Sequence, residues 1–474
     1  MKTLFRLMAI LLVASQLLTA CGSKATAPAT AAPATAAPNA TTEPTAAPIE
    51  KVKIVIWTEP VLEANRTMLQ TEFVDTFNAA HPNIELELQF QENIDQVERT
   101  ALQAGSGPDI VFTPGPAFAL EYKNAGFILD LSKYAEKYAW KDKVVNWAYD
   151  SGSIEGSLYS LPLTYETMIL YYNKKVFTEK GWQPPTSLAD IEKLCGEATA
   201  AGLNCFTNSN QWWKGVNEWL LSVVYNNYAG ADNVYAALQG KKPWTDPLFV
   251  QSTQILKDWM DKGWFSGGID NYFAYNYDDI WNNLCGTADG KAPTAIMNIE
   301  GTWAFQRATP FCKNDWDWVE LPSLREGVKP GYVLAIGSTL GINAKSQNPD
   351  ASAEVLDWLV GDTTRAAKII EGFNFGEWNV PLHFKASDFS ADADPRLTRF
   401  VEFFATGTGS GNFGYTTWTF WPAKTDAYII QELDSVFTGD LTVEAYQQAQ
   451  QDAFQAELAA GKVPLAPETK SVSK

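Results

Sequence analysis

Tryptophan and glutamate are the residue types in this chain with the most chemistry to offer, and several of each fall in apparent loops. Among its eighteen tryptophans, Trp212-Trp213, Trp303, Trp378, Trp418 and Trp421 lie between regular segments. An indole is a flat apolar platform with one polar edge, suited to stacking on the C–H face of a sugar while polar neighbours bind its hydroxyls. Aromatic residues make up 13% of the chain, and most of the others are expected in the core. Glu59, Glu166 and Glu300 are carboxylates that could converge with these rings. Two carboxyl groups roughly 5–10 Å apart, one with a raised pKa, would permit glycoside hydrolysis. A lone carboxylate in a sugar pocket is better suited to accepting hydrogen bonds from hydroxyls.

Other chemistries find little support. There is no Gly-x-Ser-x-Gly elbow, His-Glu-x-x-His helix or Gly-x-x-x-x-Gly-Lys phosphate loop. No Cys-x-x-Cys occurs, and the two histidines, His81 and His383, are far apart in sequence. Each reads as a surface or capping residue, so neither a metal nor a cofactor is expected. After Cys21 four cysteines remain, which permit three pairings. Proximity favours Cys195–Cys205 and Cys285–Cys312 in an oxidising setting, with free buried thiols as the alternative.

The first fifty residues say where the chemistry takes place. Lys2 and Arg6 precede an apolar run from Leu7 to Leu18 that is too short to span a bilayer comfortably. Leu18-Thr19-Ala20-Cys21 follows and resembles the bacterial lipobox. That resemblance implies a lipoprotein signal peptide over residues 1–20, with Cys21 lipidated as the mature N-terminus. Several acyl chains hold a protein stably, so the expected location is extracytoplasmic, on the outer face of the cell membrane. Residues 22–50 are almost entirely Ala, Thr and Pro and cannot bury enough surface to offset their ordering entropy. They read as a stalk reaching on the order of 90 Å at full extension.

The remaining chain is long enough for two lobes. The formal charge of −19 becomes about −21 without Lys2 and Arg6, which argues against nucleic acid or anionic lipid as partners. Val52–Trp57 reads as a buried strand and residues 61–80 as a helix. Ile84–Leu88 alternates as a second strand, Ile94–Gln103 is a short helix, and Asp109–Phe112 is a third strand. Strands alternating with helices predict an α/β fold with parallel strands and a ligand beyond their carboxyl ends. That places Trp57–Pro60 and Thr113–Pro116 at one cleft edge. Helices are expected over Ala351–Val360, Asp426–Phe437 and Thr442–Ala459.

Several segments then recur in a known order. They are Ile54-Val55-Ile56-Trp57, Ala104-Gly105-Ser106-Gly107-Pro108-Asp109-Ile110-Val111-Phe112, Gly156-Ser157-Leu158-Tyr159-Ser160-Leu161-Pro162, the stretch from Pro162 to Glu179, Met297-Asn298-Ile299-Glu300-Gly301-Thr302-Trp303, and Glu320–Leu324 leading into Gly331–Ala344. Together, over about residues 51–460, they resemble the sugar-binding solute-binding proteins of ABC importers, the family that includes maltose-binding protein. The resemblance implies a two-lobed periplasmic-binding-protein-like fold of type II with the ligand between the lobes. Lobe one would span 51–163 and 323–373, and lobe two 166–320 and 376–460. It also implies a monomer without enzymatic activity that closes on a saccharide and is recognised by the permease subunits of the importer.

By the same resemblance Glu166 is the acidic ligand-binding residue after the crossover, Trp303 a stacking platform, and Trp418 or Trp421 a second. Trp57, Glu59 and the Thr113–Pro116 loop, Pro116 included, match pocket-edge positions. Tyr165, Trp212, Trp213, Glu300, Tyr332 and Trp378 are expected neighbours. The charged and aromatic residues of the maltose binder are absent from Thr113–Pro116, so maltose itself is not implied. Three other readings stay open. A polyamine or other organic cation would want several converging acids and an aromatic box. An anchored glycoside hydrolase is suggested by Thr58-Glu59-Pro60, which resembles the Asn-Glu-Pro segment of some glycosidases. An adhesive or sensory lipoprotein would work without a permease.

Overall fold

The computed structural model describes residues 51–211, 214–329, 331–409, 411 and 413–467. The signal peptide, Cys21 and the stalk therefore lie outside the described residues. Among the described residues eleven strands form: β1 (Val52–Thr58), β2 (Ile84–Phe90), β3 (Ile110–Thr113), β4 (Ser153–Ile154), β5 (Ser157–Leu158), β6 (Leu161–Asn173), β7 (Asn204–Phe206), β8 (Ala295–Gly301), β9 (Trp316–Val319), β10 (Tyr332–Ile342) and β11 (Phe413–Tyr415). β4 and β5 make a small ribbon. The others follow the order β2-β1-β3-β10-β6-β8-β7, with β11 on β10 and β9 on β6.

Near-continuous apolar runs make the central strands buried on both faces, as α/β sheets covered by helices require. All four residues of β3 are buried, and Ile54 and Ile56 of β1 are fully enclosed. β1 runs parallel to β2 and β3, as the alternation of strands and helices predicts. The sheet as a whole is mixed, however. β10 is antiparallel to β3 and β6, and β8 and β9 are antiparallel to β6. The reason is the path of the chain: β6 leaves the first group of strands and β10 returns to it, so the two must run in opposite directions.

β6 is where the two groups meet. Its first half, Leu161–Thr167, pairs with β10, and from Met168 onward it pairs with β8 and β9. One strand of thirteen residues, roughly 40 Å long, is thus shared between two layered α/β units. Its ladder with β10 is irregular between Ile336 and Ser338, leaving Gly337 as a bulge opposite the middle of β6. Bulges of this kind re-aim side chains and cluster beside functional sites.

The chain passes the same region again at 374–379. Asn374, Phe375 and Trp378 have φ of 46°, 62° and 58°, a left-handed conformation that bulky residues adopt only when their surroundings impose it. Here Asn379 imposes it. Its Oδ1 accepts from the Tyr165 backbone N–H at 2.9 Å, and its Nδ2 donates to the Phe375 carbonyl at 3.3 Å. Phe375 and Trp378 are both buried, the latter edge-on to Phe73. The segment is strapped onto β6 just before that strand changes partners.

The helices expected over Ile94–Gln103, Ala351–Val360, Asp426–Phe437 and Thr442–Ala459 are found over Ile94–Gln103, Pro349–Val360, Ala423–Thr438 and Val443–Ala459. Residues 61–80 are helical from Glu63, with a π-helical insertion over Gln70–Asp75. Both expected disulfides are closed. Cys195–Cys205 joins the helix Leu188–Ala200 to β7. Cys285–Cys312 joins the helix Tyr277–Cys285 to the helix Phe305–Cys312. The second closes a loop of 27 residues, for which unfolded-state entropy gives about 2–4 kcal/mol. The C285S/C312S double variant should lose stability of that size in denaturant unfolding under oxidising conditions; equal midpoints for variant and wild type would show that the bond contributes nothing.

Candidate functional site

Glu166 stands two residues before β6 changes partners at Met168, and strand alternation turns it away from buried Tyr165 on the opposite face. Its carboxylate needs the bulge at Gly337. A methyl group there would lie 2.7 Å from Glu166 Oε1, closer than non-bonded atoms tolerate. Glycine at 337 lets the carboxylate keep this position, and a larger residue would displace it. From this point a cleft of about 680 Å³ opens, lined by Glu59, Pro60, Val61, Leu62, Asn65, Thr164, Glu166, Trp219, Tyr277, Trp303, Gln306, Arg307, Gly337, Ser338 and Glu377.

A second glycine seats Trp303. A Cβ on Gly301 would fall 1.9 Å from the Trp303 ring, so the indole folds back over the end of β8 only because Gly301 has no side chain. Glu300, 1% exposed, fixes it from behind. Its carboxylate accepts from Trp303 Nε1 at 3.1 Å, Tyr277 Oη at 2.7 Å and Asn298 Nδ2 at 2.7 Å. Glu300 is therefore a satisfied buried group behind the cleft wall that orients two wall aromatics. It is not one of the lining residues. Trp303 continues into an aromatic wall, with the Trp219 ring centroid 4.9 Å away and that of Trp418 6.2 Å away. Trp418 also hydrogen-bonds to Glu166. Beyond Trp418 lies a second cavity of about 380 Å³ bordered by Ala117, Phe118, Trp421 and Lys424.

The cleft gathers carboxyl groups that oppose one another's ionisation. Burial, with the charges of Glu377 and Glu59, pushes the Glu166 carboxyl up to about 8. Burial and Glu59 raise Glu377 to about 7, and burial with Asp95 raises Glu59 to about 7. Glu300 rises to about 7 by burial, against the pull of its donors. Arg307 reaches Asp278 at 3.4 Å and lies 5.0 Å from the Tyr277 ring centroid. Among the described residues, no three of His, Cys, Asp and Glu come together at metal-ligand spacing.

Of the residues singled out from sequence, Glu59, Glu166 and Trp303 line this cleft, and Trp418 bounds it. The others are elsewhere. Trp57 lies on β1, where its Nε1 donates to Gln89 Oε1 at 2.9 Å. Pro116 is buried as the first residue of the helix Pro116–Asn124. Tyr165 packs against Phe375 and Phe404. Tyr332 packs at a tilt against Phe403 and fills the space that Gly407 leaves. Trp378 is 2% exposed against Phe73, and Trp421 is 1% exposed against Trp244. For Tyr165, Tyr332, Trp378 and Trp421 a large apolar surface is worth more in the core than at a wet cleft. Trp212 and Trp213 lie outside the described residues. Sequence reasoning missed Asn65, Trp219, Tyr277, Gln306, Arg307 and Glu377. Trp219 reads as an ordinary core position of the helix Val216–Val224. The signal at 377 was there in the neighbouring tryptophan, but the strap turns Trp378 inward and sends Glu377 into the cleft.

A carboxyl whose folded pKa is raised from 4.5 to about 8 holds its proton more tightly in the folded than in the unfolded chain. Its contribution is present below about pH 4.5 and is lost as the pH rises through 8. The E166Q variant should therefore gain in melting temperature relative to wild type as the pH rises from 5 to 8. A constant difference across that range would mean that Glu166 ionises normally.

The sequence pattern described as bacterial extracellular solute-binding protein matches residues 61–366. The sn-glycerol-3-phosphate-binding periplasmic protein of Yersinia pestis is 26% identical over 214 residues, covering 40% of this chain and 46% of that protein. The chain thus spans about half the length of such curated relatives. The maltotriose-binding protein of Pyrococcus abyssi is 23% identical over 324 residues, covering 65% of this chain and 62% of that protein. Among solved structures, a chitin oligosaccharide binding protein superposes with a TM-score of 0.71 at 17% identity, over 86% of this chain and all of its own length. Maltose-bound MalE3 of T. maritima gives 0.67 at 18% identity, over 85% of this chain and 99% of its own. These likenesses establish the two-lobed α/β binding-protein fold, and the matched span makes this chain a member of the bacterial extracellular solute-binding protein family.

Proposed function

We propose that this protein is the substrate-binding subunit of an ABC importer that captures a sugar or oligosaccharide outside the cytoplasm and delivers it to a membrane permease. The observation that carries this is the Trp303 indole, held by Gly301 and Glu300 beside the Glu166 carboxylate in one cleft. A sugar ring presents an apolar face to such an indole and hydroxyls to the carboxylate. Asn65, Thr164, Gln306 and Ser338 add polar groups around it. Relatives and neighbours named for maltotriose, maltose and chitin oligosaccharides point the same way. The lobes would divide as 51–163 with 323–373 and 166–320 with 376–460. Closure would be a hinge motion that the ligand favours by touching both sides. A lipid on Cys21 and the 22–50 stalk would tether the protein, which acts as a monomer.

Family members bind solutes rather than transform them, and the carboxylates here are assigned to recognition in place of hydrolysis. A thermal-shift screen against mono- and oligosaccharides, with polyamines and amino acids as controls, tests the assignment. A ligand at 100 times its Kd stabilises by about 2.7 kcal/mol. Stabilisation by one saccharide class without turnover is the expected result; released product would make the protein a glycosidase. The W303A variant should remain folded and bind that saccharide about 30-fold more weakly, a loss of about 2 kcal/mol. An unchanged affinity would remove Trp303 from the site.

A further inference from the structure

Three carboxylates are delivered to the cleft by three separate stretches of chain. Glu59 follows β1, Glu166 projects from β6, and Glu377 comes from the left-handed strap. The couplings among them are repulsive: Glu59 and Glu377 both act against ionisation of Glu166, and Glu59 acts against that of Glu377. Arg307 is the one basic side chain among the described lining residues, and Asp278 and the Tyr277 ring already engage it. Glu300, which serves structure, takes three donors. Glu59 and Glu377 have no such donor among the described residues.

Hydroxyl recognition accounts for one of these groups, since each neutral hydroxyl offers one hydrogen and no charge. It leaves the other two without a protein donor among the described residues. We propose, on the premise that the cleft is a saccharide site, that it selects a sugar bearing a protonated amine, whose positive charge is drawn by the carboxylates of Glu59, Glu166 and Glu377 while its ring stacks on Trp303. An ammonium carries three donors and a positive charge that favours the ionised form of the carboxyls, and charge-assisted bonds are roughly twice as strong as neutral ones. The π faces of the wall aromatics attract a cation as well. A bare metal ion fits less well, because no three acidic groups reach metal-ligand spacing among the described residues.

Calorimetric titration at about pH 6.5, where sugar amines are charged, separates the possibilities. Glucosamine and its β-1,4 dimer are compared with glucose and cellobiose, and spermidine is the amine without a ring. The amino sugars should bind at least about 100-fold more tightly than their neutral counterparts. E377Q, checked for folding by its melting curve, should cost about tenfold on the amino sugar and less than threefold on any neutral sugar; E59Q should repeat the pattern. Equal binding of charged and neutral sugars would overturn the amine inference and leave the saccharide assignment standing. Binding of spermidine alone would overturn both. No binding by either amino sugar, or equal losses on both sugar types in the two variants, would also overturn the inference.

Discussion

The sharing of β6 between two sheets is the constraint on which the rest depends. A strand buried along nearly its whole length cannot shift by one residue without turning every side chain to the wrong face. Its register therefore fixes which residue emerges at the transfer point, and that residue is Glu166. Everything nearby accommodates it. β10 bulges at Gly337 to make room for the carboxylate, and Asn379 clamps the strap to the Tyr165 backbone. The strained φ values at Asn374, Phe375 and Trp378, costing of order 1–3 kcal/mol each, persist because Phe375 and Trp378 are locked in the core.

Carboxylates in two different states make up the site, and the difference is one of hydrogen bonding. Glu300 is more deeply enclosed than Glu59, yet it is the settled one, with three donors fixed on it. Glu59 and Glu377 line the cleft, the first exposed and the second partly buried. Burying a polar group without partners costs free energy that something must offset. Glu300 is offset within the fold, where it spends its acceptor capacity on orienting Trp303 and Tyr277. The other carboxylates keep theirs for what enters the cleft, which is the physical distinction between a group that supports a binding wall and one that belongs to it.

The overall fold was legible because its signals are local. Periodicity and turn residues mark β1, β2, β3 and the helix Ile94–Gln103, and sequence proximity alone selects the two disulfides that form. The antiparallel crossing of β10 was not legible from alternation, because it depends on where the chain returns after a long excursion. The site divided along the same line. Glu166 and Trp303 follow short motifs that carry their own glycines or strand context. Trp378 and Glu377 are adjacent in sequence, and only the left-handed strap decides which of them faces solvent. Trp421 differs from Trp418 in the same way: three positions along, it packs against Trp244 in the core.

The cleft walls also come from opposite sides of the shared strand, which bears on how a ligand could act on the protein. Glu59 follows β1, on one side of β6, while Trp303 and Tyr277 belong to the β8 side. The Cys285–Cys312 bond joins the two helices that begin at Tyr277 and Phe305, so the β8 wall is braced as a unit. Ligand can shift a conformational equilibrium only by its difference in affinity between the two states. A molecule that stacks on Trp303 while bonding to Glu59 makes its full set of contacts only when both walls meet it. One that touches the braced wall alone binds the open and closed forms equally and moves nothing. On the proposed function, selectivity and closure are then the same property of the site, because the carboxylates that discriminate between ligands also supply the contacts that would draw the two sides together.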